Sequence, residues 1–455
     1  MPVPVSPPGV RTRVTAVWRS RVARVGALVV LLALSGAVIL ALVREQTGTQ
    51  GFLVGLALAV TPVPLLVAAF RWLERVEPSR SWRNLLFAFA WGACAAALVA
   101  IIANSFATHW IAVATADPAG ADLWGATVIA PVVEESGKAV AVLLLFLFRR
   151  RDFTGVVYGV AAAGVTATGF AFTENILYLG NAFGEDQLSG LGGFESVTAA
   201  TFFVRIVMSP FAHPLFTVLT GLGFGFAVLT PLRHRVRRVL LPAAGLLLAM
   251  GMHAAWNGSA MFGQWGFLGT YALLMVPAFG LLTWLAVHLR GRELRIVREE
   301  LAVYATAGWL TPPEPALLGS MRARGLAYGW AFRAHGAEGR TAVREYVSCA
   351  TQLAILRRRT RRRALAVGPE FTARERELLE ALWRRREPAR AALAHAARAT
   401  APARPAPLPY VPAQSGPAYG YGYPAAPPPG QQKAAYPYGP QQVPYGYAAR
   451  DPYRA

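Results

Sequence analysis

The chain has 455 residues, of which 55% are hydrophobic and only 15% are charged, whereas soluble globular domains carry about 25% charged residues. Long uncharged apolar runs alternate with short arginine clusters, and this pattern excludes a soluble globular protein and predicts a polytopic membrane protein. The formal net charge of +21 comes mainly from arginines outside the apolar runs. Membrane topology explains this charge, so we expect no nucleic-acid partner.

Eight apolar runs have the length of a membrane-spanning helix, which needs about 20 residues. We therefore predict an all-α, polytopic membrane helix bundle with about eight transmembrane helices. The sixth run is long and contains Pro210 and Pro214, where we expect the helix to be tilted or broken. The runs lie at about 25–43, 51–70, 84–104, 123–148, 153–179, 199–230, 238–256 and 266–288.

Arginine is distributed unevenly between the loops that join these runs. The N-terminal segment, three alternate loops and the segment after the last run are rich in arginine, whereas the other four loops contain only Arg44. Cytoplasmic loops carry the excess of positive charge, so eight spans with both termini in the cytoplasm satisfy every loop. We predict a multi-pass protein of a cell membrane, and expect this to be the bacterial plasma membrane.

Composition divides the chain into four parts. Residues 1–24 form a basic cytoplasmic segment, and residues 25–289 form the transmembrane domain. Residues 290–400 contain 22 arginines against 11 acidic residues, which predicts a cytoplasmic helical extension attracted to anionic lipid headgroups. Within it, residues 374–386 are expected to form an exposed amphipathic helix. Residues 401–455 are rich in Pro, Tyr and Gly, and we expect them to be disordered because they cannot bury a core.

Polar residues within the apolar runs concentrate in four consecutive spans, from the fourth to the seventh. A charged side chain at the centre of a bilayer costs at least about 2.5–3.5 kcal/mol and usually has a function. Residues four positions apart share one face of a helix, so we expect the polar groups to line one cavity open to the extracellular side. They are Glu134, Glu135 and Lys138 in the fourth span, Glu174, Asn175 and Tyr178 after Phe170 in the fifth, Arg205 and His213 in the sixth, and His253 and Asn257 in the seventh.

Four motifs follow one another along these spans: Glu-Glu-x-x-Lys at 134–138, Phe-x-x-x-Glu-Asn at 170–175, His-Pro at 213–214 and His-x-x-x-Asn at 253–257. In this order they resemble the PrsW family of intramembrane proteases, part of a wider group with CAAX prenyl endopeptidases and bacteriocin-processing and bacteriocin-immunity proteins. The resemblance covers about residues 85–290. It implies a peptide hydrolase that cleaves a membrane-protein substrate near its extracytoplasmic side, in some members an anti-sigma factor.

The residues themselves suggest how such a site would act. Adjacent carboxyl groups at Glu134 and Glu135 suit general-base catalysis, and we expect one of them to deprotonate the attacking water; the resemblance favours Glu134. Lys138 would neutralise the pair, and His253 with Asn257, one turn apart, would donate hydrogen bonds to the oxyanion. The candidate catalytic residues are Glu134, Glu135, Glu174, His213, His253 and Asn257, with Lys138, Phe170 and Asn175 in support.

Two questions stay open at the level of sequence. Glu174 stands where the prenyl-endopeptidase relatives carry a histidine, so it is a second carboxylate, a metal ligand or an orienting partner for a histidine. Histidines and glutamates together can bind Zn²⁺ or Mn²⁺, but the chain has no His-Glu-x-x-His motif, and we favour a site without a tightly bound metal. The alternative is one divalent ion such as Zn²⁺, with ligands among Glu134, Glu135, Glu174, His213 and His253. Arg205 is interpreted as an interfacial arginine outside the site.

Two other classes of function compete with the protease. Buried Glu, Lys and His residues also build the proton relays of transporters, but the first three spans lack polar groups matching those of the later spans, as inverted repeats would require. The third class is a catalytically inactive membrane scaffold or immunity protein of the same fold. Every motif residue is present, however, and this favours an active enzyme.

Overall fold

The computed structural model describes residues 20–74, 76, 82–149, 152–363 and 368–401. Over these residues the chain is helical and contains no strand, which confirms the predicted all-α class. Most of the predicted basic segment at 1–24 lies outside the described residues, and so does all of the predicted disordered tail except Ala401.

The described residues form thirteen α-helices, which we number in chain order, and two short 3₁₀ helices, Gly193–Glu195 and Ser259–Phe262. Four of them, α3, α4, α6 and α9, contain a π-helical turn, at Trp91–Ala96, Gly125–Ile129, Phe203–Met208 and Tyr271–Met275. The helices are α1 (Arg21–Ala59), α2 (Val63–Glu74), α3 (Trp82–Thr115), α4 (118–148), α5 (Val156–Ser189), α6 (197–208), α7 (Ala212–Leu229), α8 (Arg235–Gly258), α9 (263–306), α10 (Glu314–Leu318), α11 (Met321–Arg363), α12 (Pro369–Arg384) and α13 (Arg386–Thr400).

Five helical stretches are long and apolar enough to cross a membrane, and they support a membrane protein. Two of them, of 53 and 72 residues, exceed the roughly 20 residues of a single crossing. The first is broken at Gly48 and the second at Gly263, where φ is positive. The five are Val22–Glu74, Trp82–Thr115, Val156–Ser189, Val197–Leu229 and Arg235–Thr306; α4, with three charged residues in its apolar sequence, is not among them. The count of eight spans and the cytoplasmic position of both termini remain predictions.

Helix α5 lies at the centre of the membrane domain and is buried along most of its length. Two of its glycines let neighbouring helices reach its backbone. A Cβ atom at Gly159 would lie 2.2 Å from the carbonyl oxygen of Gly221 on α7, and one at Gly169 would lie 2.1 Å from that of Phe89 on α3. Neighbouring helices therefore approach α5 closely at these two positions, and this brings α7 near the residues of α4 and α5.

The sixth predicted span is broken, as its prolines suggest, but at only one of them. Helix α6 ends at Met208 and α7 begins at Ala212, so the chain interrupts its helix around Pro210. Pro214 does not break the chain, because it lies in the first turn of α7, where a backbone N–H has no helical acceptor to lose. The break places His213 at the start of a new helix.

The arginine-rich segment after the last span is a folded helical domain rather than an exposed extension. The end of α9 and helices α10 to α13 share one hydrophobic core, to which Leu301, Leu318 and Tyr346 contribute. The amphipathic helix predicted near 374–386 is present as α12 and ends at Arg384. Its apolar face is not exposed, because Leu378 and Leu382 are buried in the same core.

Candidate active site

Five helices bring the predicted polar residues together inside the membrane domain. Helix α4 contributes its two glutamates and its lysine, α5 and α6 contribute Glu174 and Arg205, and α7 and α8 contribute the two histidines. The α4 side chains are almost completely enclosed, with Glu134 5% exposed and Glu135 and Lys138 0% exposed. Buried charges are tolerated when they are paired, so the contacts among these residues decide what each can do.

Lys138 occupies the middle of the cluster. Its Nζ lies 2.9 Å from Oε1 of Glu135, 3.3 Å from Oε2 of Glu134 and 3.1 Å from Nδ1 of His213. It also lies 3.9 Å from the centre of the Phe170 ring, a cation–π distance. Lys138 therefore contacts both carboxylates, as predicted, and Phe170 forms part of its binding pocket.

The two neighbouring glutamates have different surroundings. Glu135 accepts hydrogen bonds on both oxygens, from Lys138 and the Nδ1 of His253 at 3.2 Å on Oε1, and from the hydroxyl of Thr217 at 2.8 Å on Oε2. Glu134 is held more loosely, because its Oε1 lies 3.5 Å from the Asn104 amide nitrogen and its Oε2 lies 3.3 Å from the lysine. Glu134 is thus the carboxylate with capacity for a further ligand or proton.

Each of the two histidines has one ring nitrogen against a carboxylate. The Nδ1 of His253 faces Glu135, and its Nε2 lies 3.9 Å from Oε2 of Glu134. The Nε2 of His213 lies 2.6 Å from Oε2 of Glu174. A carboxylate fixes the N–H on the nitrogen that it contacts, so the other nitrogen of each ring is an acceptor. Glu174 is therefore placed as the orienting partner of a histidine, one of the three roles left open.

Arg205, which the sequence analysis left outside the site, contacts two of the predicted site residues, Glu174 and Asn175. It lies in the π-helical turn of α6 and forms an ion pair with Glu174. Its Nε donates to the amide oxygen of Asn175 at 2.8 Å, and its guanidinium lies 3.9 Å from the centre of the Tyr178 ring. The sequence contained no signal for these contacts, because the π-helical turn changes the direction of the side chain relative to a regular helix.

Asn257 lies at the edge of the cluster and does not contact the glutamates. Its Nδ2 donates to the carbonyl oxygen of Ala126 at 2.9 Å, within the π-helical turn of α4. A cavity of about 870 Å³, part of it open to the surroundings, extends from this point to His213 and is also lined by Arg205 and Trp256. The sequence predicted a cavity lined by the polar groups; this cavity is lined by His213, Asn175, Tyr178, Arg205 and Asn257, whereas the two glutamates of α4, Lys138 and His253 do not line it.

Residues 80–282 match the model of the PrsW family of intramembrane metalloproteases. The matched segment contains all four motifs and every residue of the polar cluster, and the resemblance read from the motifs is confirmed. The match supports an intramembrane protease for residues 80–282. No curated protein and no solved structure matches the chain.

Among the described residues, one group of side chains fits a metal ion. Glu134, His213 and His253 each offer a ligand atom, and these atoms lie within 4.8 Å of one another. The Lys138 Nζ lies 3.1 Å from the His213 Nδ1 and 3.3 Å from the Glu134 Oε2, so an ion bound here would displace the lysine from these two contacts. One carboxylate and two imidazoles form a donor set that Zn²⁺ uses, and each histidine has the carboxylate partner that metal-ligating histidines have in their outer shell. Glu135 and Glu174, two of the five predicted candidate ligands, are instead those partners.

Proposed function

We propose that this PrsW domain hydrolyses a peptide bond of a membrane-protein substrate with a water molecule that Glu134 deprotonates. The observation that carries the proposal is the difference between the two glutamates. Glu135 is saturated with hydrogen bonds, whereas Glu134 keeps weak contacts and faces the free Nε2 of His253 at 3.9 Å. A general base needs an oxygen that can accept the proton of the water, and the oxygens of Glu134, which have only long contacts, meet this need better than those of Glu135.

The neighbouring residues prepare Glu134 for this role. The positive charge of Lys138 favours the ionised form of this carboxylate, and such an interaction is strong in a dry site. Glu135 contacts both Lys138 and His253 and so holds them in place. The Thr217 hydroxyl donates to Glu135 and positions this carboxylate. Asn257 and Arg205 line the cavity through which substrate would enter, and they are the donors we assign to the developing oxyanion.

The donor set also supports a divalent ion, held by Glu134, His213 and His253. When bound, such an ion polarises the water and the scissile carbonyl as a Lewis acid. A carboxylate has two oxygens, so Glu134 retains one to accept the proton while the other is a ligand. From the sequence alone we favoured a site without a tightly bound metal. We now favour a bound ion, because a carboxylate contacts one ring nitrogen of each histidine, as in the outer shell of metal sites.

For the substrate we propose a membrane protein cut near its extracytoplasmic side, and an anti-sigma factor is the candidate that the family resemblance supplies. Regulated proteolysis in the plasma membrane would then be the setting. For the arginine-rich domain we keep the proposal that it contacts anionic lipid headgroups.

The test is a cleavage assay with the reconstituted full chain and a membrane-proteome fraction, in which new protein termini are identified. Glu134→Gln is expected to lower the rate at least about 100-fold, because general-base catalysis contributes 10²–10⁴-fold. Glu45→Gln, a change to an exposed glutamate, is the matched control and should keep full activity. Equal cleavage by wild type and Glu134→Gln would refute the assignment, and proton-coupled transport would become the function to test.

Metal content is measured on the same samples by elemental mass spectrometry. We expect wild type to retain zinc or another divalent ion after dialysis, and His213→Ala and His253→Ala to lose it. Activity should disappear with a chelator and return when the metal is added back. Full activity in metal-free wild-type protein would instead support catalysis by Glu134 alone.

A further inference from the structure

An excess of arginine surrounds one buried carboxylate in the helical domain. Glu300 on α9 is 1% exposed, and three arginines of α11 lie against it: Arg357 at 3.7 Å, Arg358 at 3.2 Å and Arg361 at 3.3 Å. The single carboxylate of Glu300 neutralises the charge of only one of these three arginines. The Nε of Arg358 is buried and has no hydrogen-bond partner among the described residues, and an unpaired buried donor is costly. The cluster therefore has an excess of positive charge and a buried hydrogen-bond donor without an acceptor in the described part of the chain.

Arg358 also lines a cavity between the membrane domain and the helical domain, with a volume of about 750 Å³ that includes space open to the surroundings. Most of its wall is apolar and comes from the first residues of α5, the last of α7, and α9 and α11, with Val156, Leu229, Leu289 and Ile355 among them. Three charged residues complete the wall: Arg292, Arg358 and Glu293. Counting the cluster around Glu300, four arginines stand against two glutamates, so the surroundings of the cavity remain positive.

The cavity is level with the ends of the membrane helices. Helix α5 begins at Val156 and α7 ends at Leu229, and Leu289 directly follows the last predicted apolar run. The chain segments that adjoin these ends are the arginine-rich ones, where the headgroups of the cytoplasmic leaflet are expected. An apolar wall beside arginines at this level matches an amphiphile better than a free anion.

We propose that this cavity binds one anionic phospholipid, with its phosphate on the guanidinium groups of Arg292 and Arg358 and an acyl chain against the apolar wall. The phosphate would supply the acceptor that the Arg358 Nε lacks, and guanidinium–phosphate hydrogen bonds are among the strong ones in proteins. We proposed above that the arginine-rich domain contacts anionic lipid headgroups, and this cavity gives that contact a specific location. It does not depend on protease activity.

The test measures lipid binding to the full chain in nanodiscs and by native mass spectrometry after partial delipidation. The probes are phosphatidylglycerol, phosphatidylcholine and inorganic phosphate. We expect wild type to retain phosphatidylglycerol in preference to phosphatidylcholine, and inorganic phosphate at millimolar concentration not to displace it. Arg358→Gln should weaken retention about tenfold or more, as expected when a hydrogen bond to a charged group is lost. Arg398→Gln, which removes an exposed arginine of α13, is the matched control and should bind as wild type does.

A second variant changes the cavity without changing charge. Gly155 has an extended φ of 168°, which any residue can adopt, and a Cβ there would lie 3.6 Å from Leu229 and 4.0 Å from Glu293. Gly155→Phe should therefore fill the cavity and reduce retention, whereas Gly184→Phe, where a Cβ meets nothing within 4 Å, should not. Equal retention of the two phospholipids by wild type, displacement by inorganic phosphate, or wild-type retention by both Arg358→Gln and Gly155→Phe would each overturn the proposal.

Discussion

At the residue scale, the site is organised by pairs of a histidine and a carboxylate. His253 rests on Glu135 and stacks on the ring of Phe216, with 4.8 Å between ring centres, while His213 rests on Glu174. In both pairs the carboxylate determines which ring nitrogen is left to act. The adjacent glutamates of α4 thus have separate tasks: Glu135 orients a histidine, and Glu134 is proposed to act on water.

Glu174→Gln tests the second of these pairs. The amide can still contact the His213 ring, but it lacks the charge that fixes the ring tautomer, so we expect metal affinity and cleavage rate to fall about 10–100-fold, as for other outer-shell partners. The control is Glu185→Gln, which changes an exposed glutamate of the same helix, α5. Metal affinity is measured by competition with a chelator, and an unchanged value would show that Glu174 does not act through His213.

Glu314, in the helical domain, should make stability depend on pH. It is 1% exposed, and its Oε2 accepts hydrogen bonds from the Thr311 backbone N–H at 2.9 Å and from the Tyr346 hydroxyl at 3.1 Å. Burial raises the pKa of this carboxyl above its ordinary value. A raised folded-state pKa stabilises the fold below the unfolded pKa of about 4.3, and this contribution is lost as the pH rises through the folded pKa.

Glu314→Gln keeps the acceptor and removes the ionisation. We therefore expect the variant to gain thermal stability relative to wild type as the pH is raised from about 4 to 7. Thermal melts of the purified full chain at several pH values measure the difference. Glu338→Gln, outside this hydrogen-bonded pocket, is the control, and a wild-type advantage that grows with pH would contradict the sign.

At the scale of elements, π-helical turns and a helix break shape the site. The turn in α4 presents the Ala126 carbonyl to Asn257, and the turn in α6 carries Arg205. Such turns insert one extra residue per turn and are frequent at functional sites. The interruption around Pro210 then starts α7 so that His213 and Thr217, four residues apart, share the face that meets α4.

Close packing of α5 against α7 is required to hold this face in place. Leucine at Gly159 would force its Cβ to within 2.2 Å of a backbone oxygen of α7, which cannot move aside as a side chain can. Gly159→Leu is therefore expected to destabilise the protein by about 1–3 kcal/mol or more and to abolish cleavage. The control is Gly184→Leu on the same helix, with nothing within 4 Å of the added Cβ. Thermal melts in detergent compare the two, and equal melting temperatures would contradict the packing argument.

At the scale of the whole molecule, a buried arginine joins the helical domain to the membrane domain. Arg324 of α11 is 0% exposed and donates to the carbonyl of Val76 at 2.5 Å, to that of Leu318 at 2.7 Å and to the hydroxyl of Thr351 at 3.1 Å. No carboxylate pairs with it among the described residues, and burial lowers its pKa to about 10. Val76 follows α2, so this one side chain ties α11 to the end of a membrane helix.

Arg324→Met removes this tie and leaves the Val76 carbonyl without its donor, which costs about 1–3 kcal/mol for a buried group. We expect the helical domain to open more often, and limited trypsin digestion between α9 and α11 to become about tenfold faster. Arg322→Met, an exposed change two residues away, is the control for the lost charge. Identical digestion of the two variants would mean that the domain is held by its hydrophobic contacts alone.

The sequence by itself determined that the protein is helical and membrane-embedded, and it predicted most of the candidate site residues and the family resemblance. Apolar runs of about 20 residues and arginine-rich connections are local properties, because a bilayer accepts only segments that satisfy their own backbone hydrogen bonds. The residues Glu134, Glu135, Lys138, Glu174 and His253 stood out since charge inside an apolar run is rare. Their spacing and order were enough for the resemblance.

Only the tertiary structure decided which contacts each of those residues makes. Contacts between different helices determine which glutamate accepts the most hydrogen bonds and which ring nitrogen is left free. They also determine that Arg205 and Thr217 lie beside the predicted site residues. The same applies to residues 290–400, since an amphipathic arginine-rich helix has one pattern whether its apolar face lies on a membrane or in a core. Leu378 and Leu382 are buried because other helices of the domain cover them, and no local pattern specifies that partner.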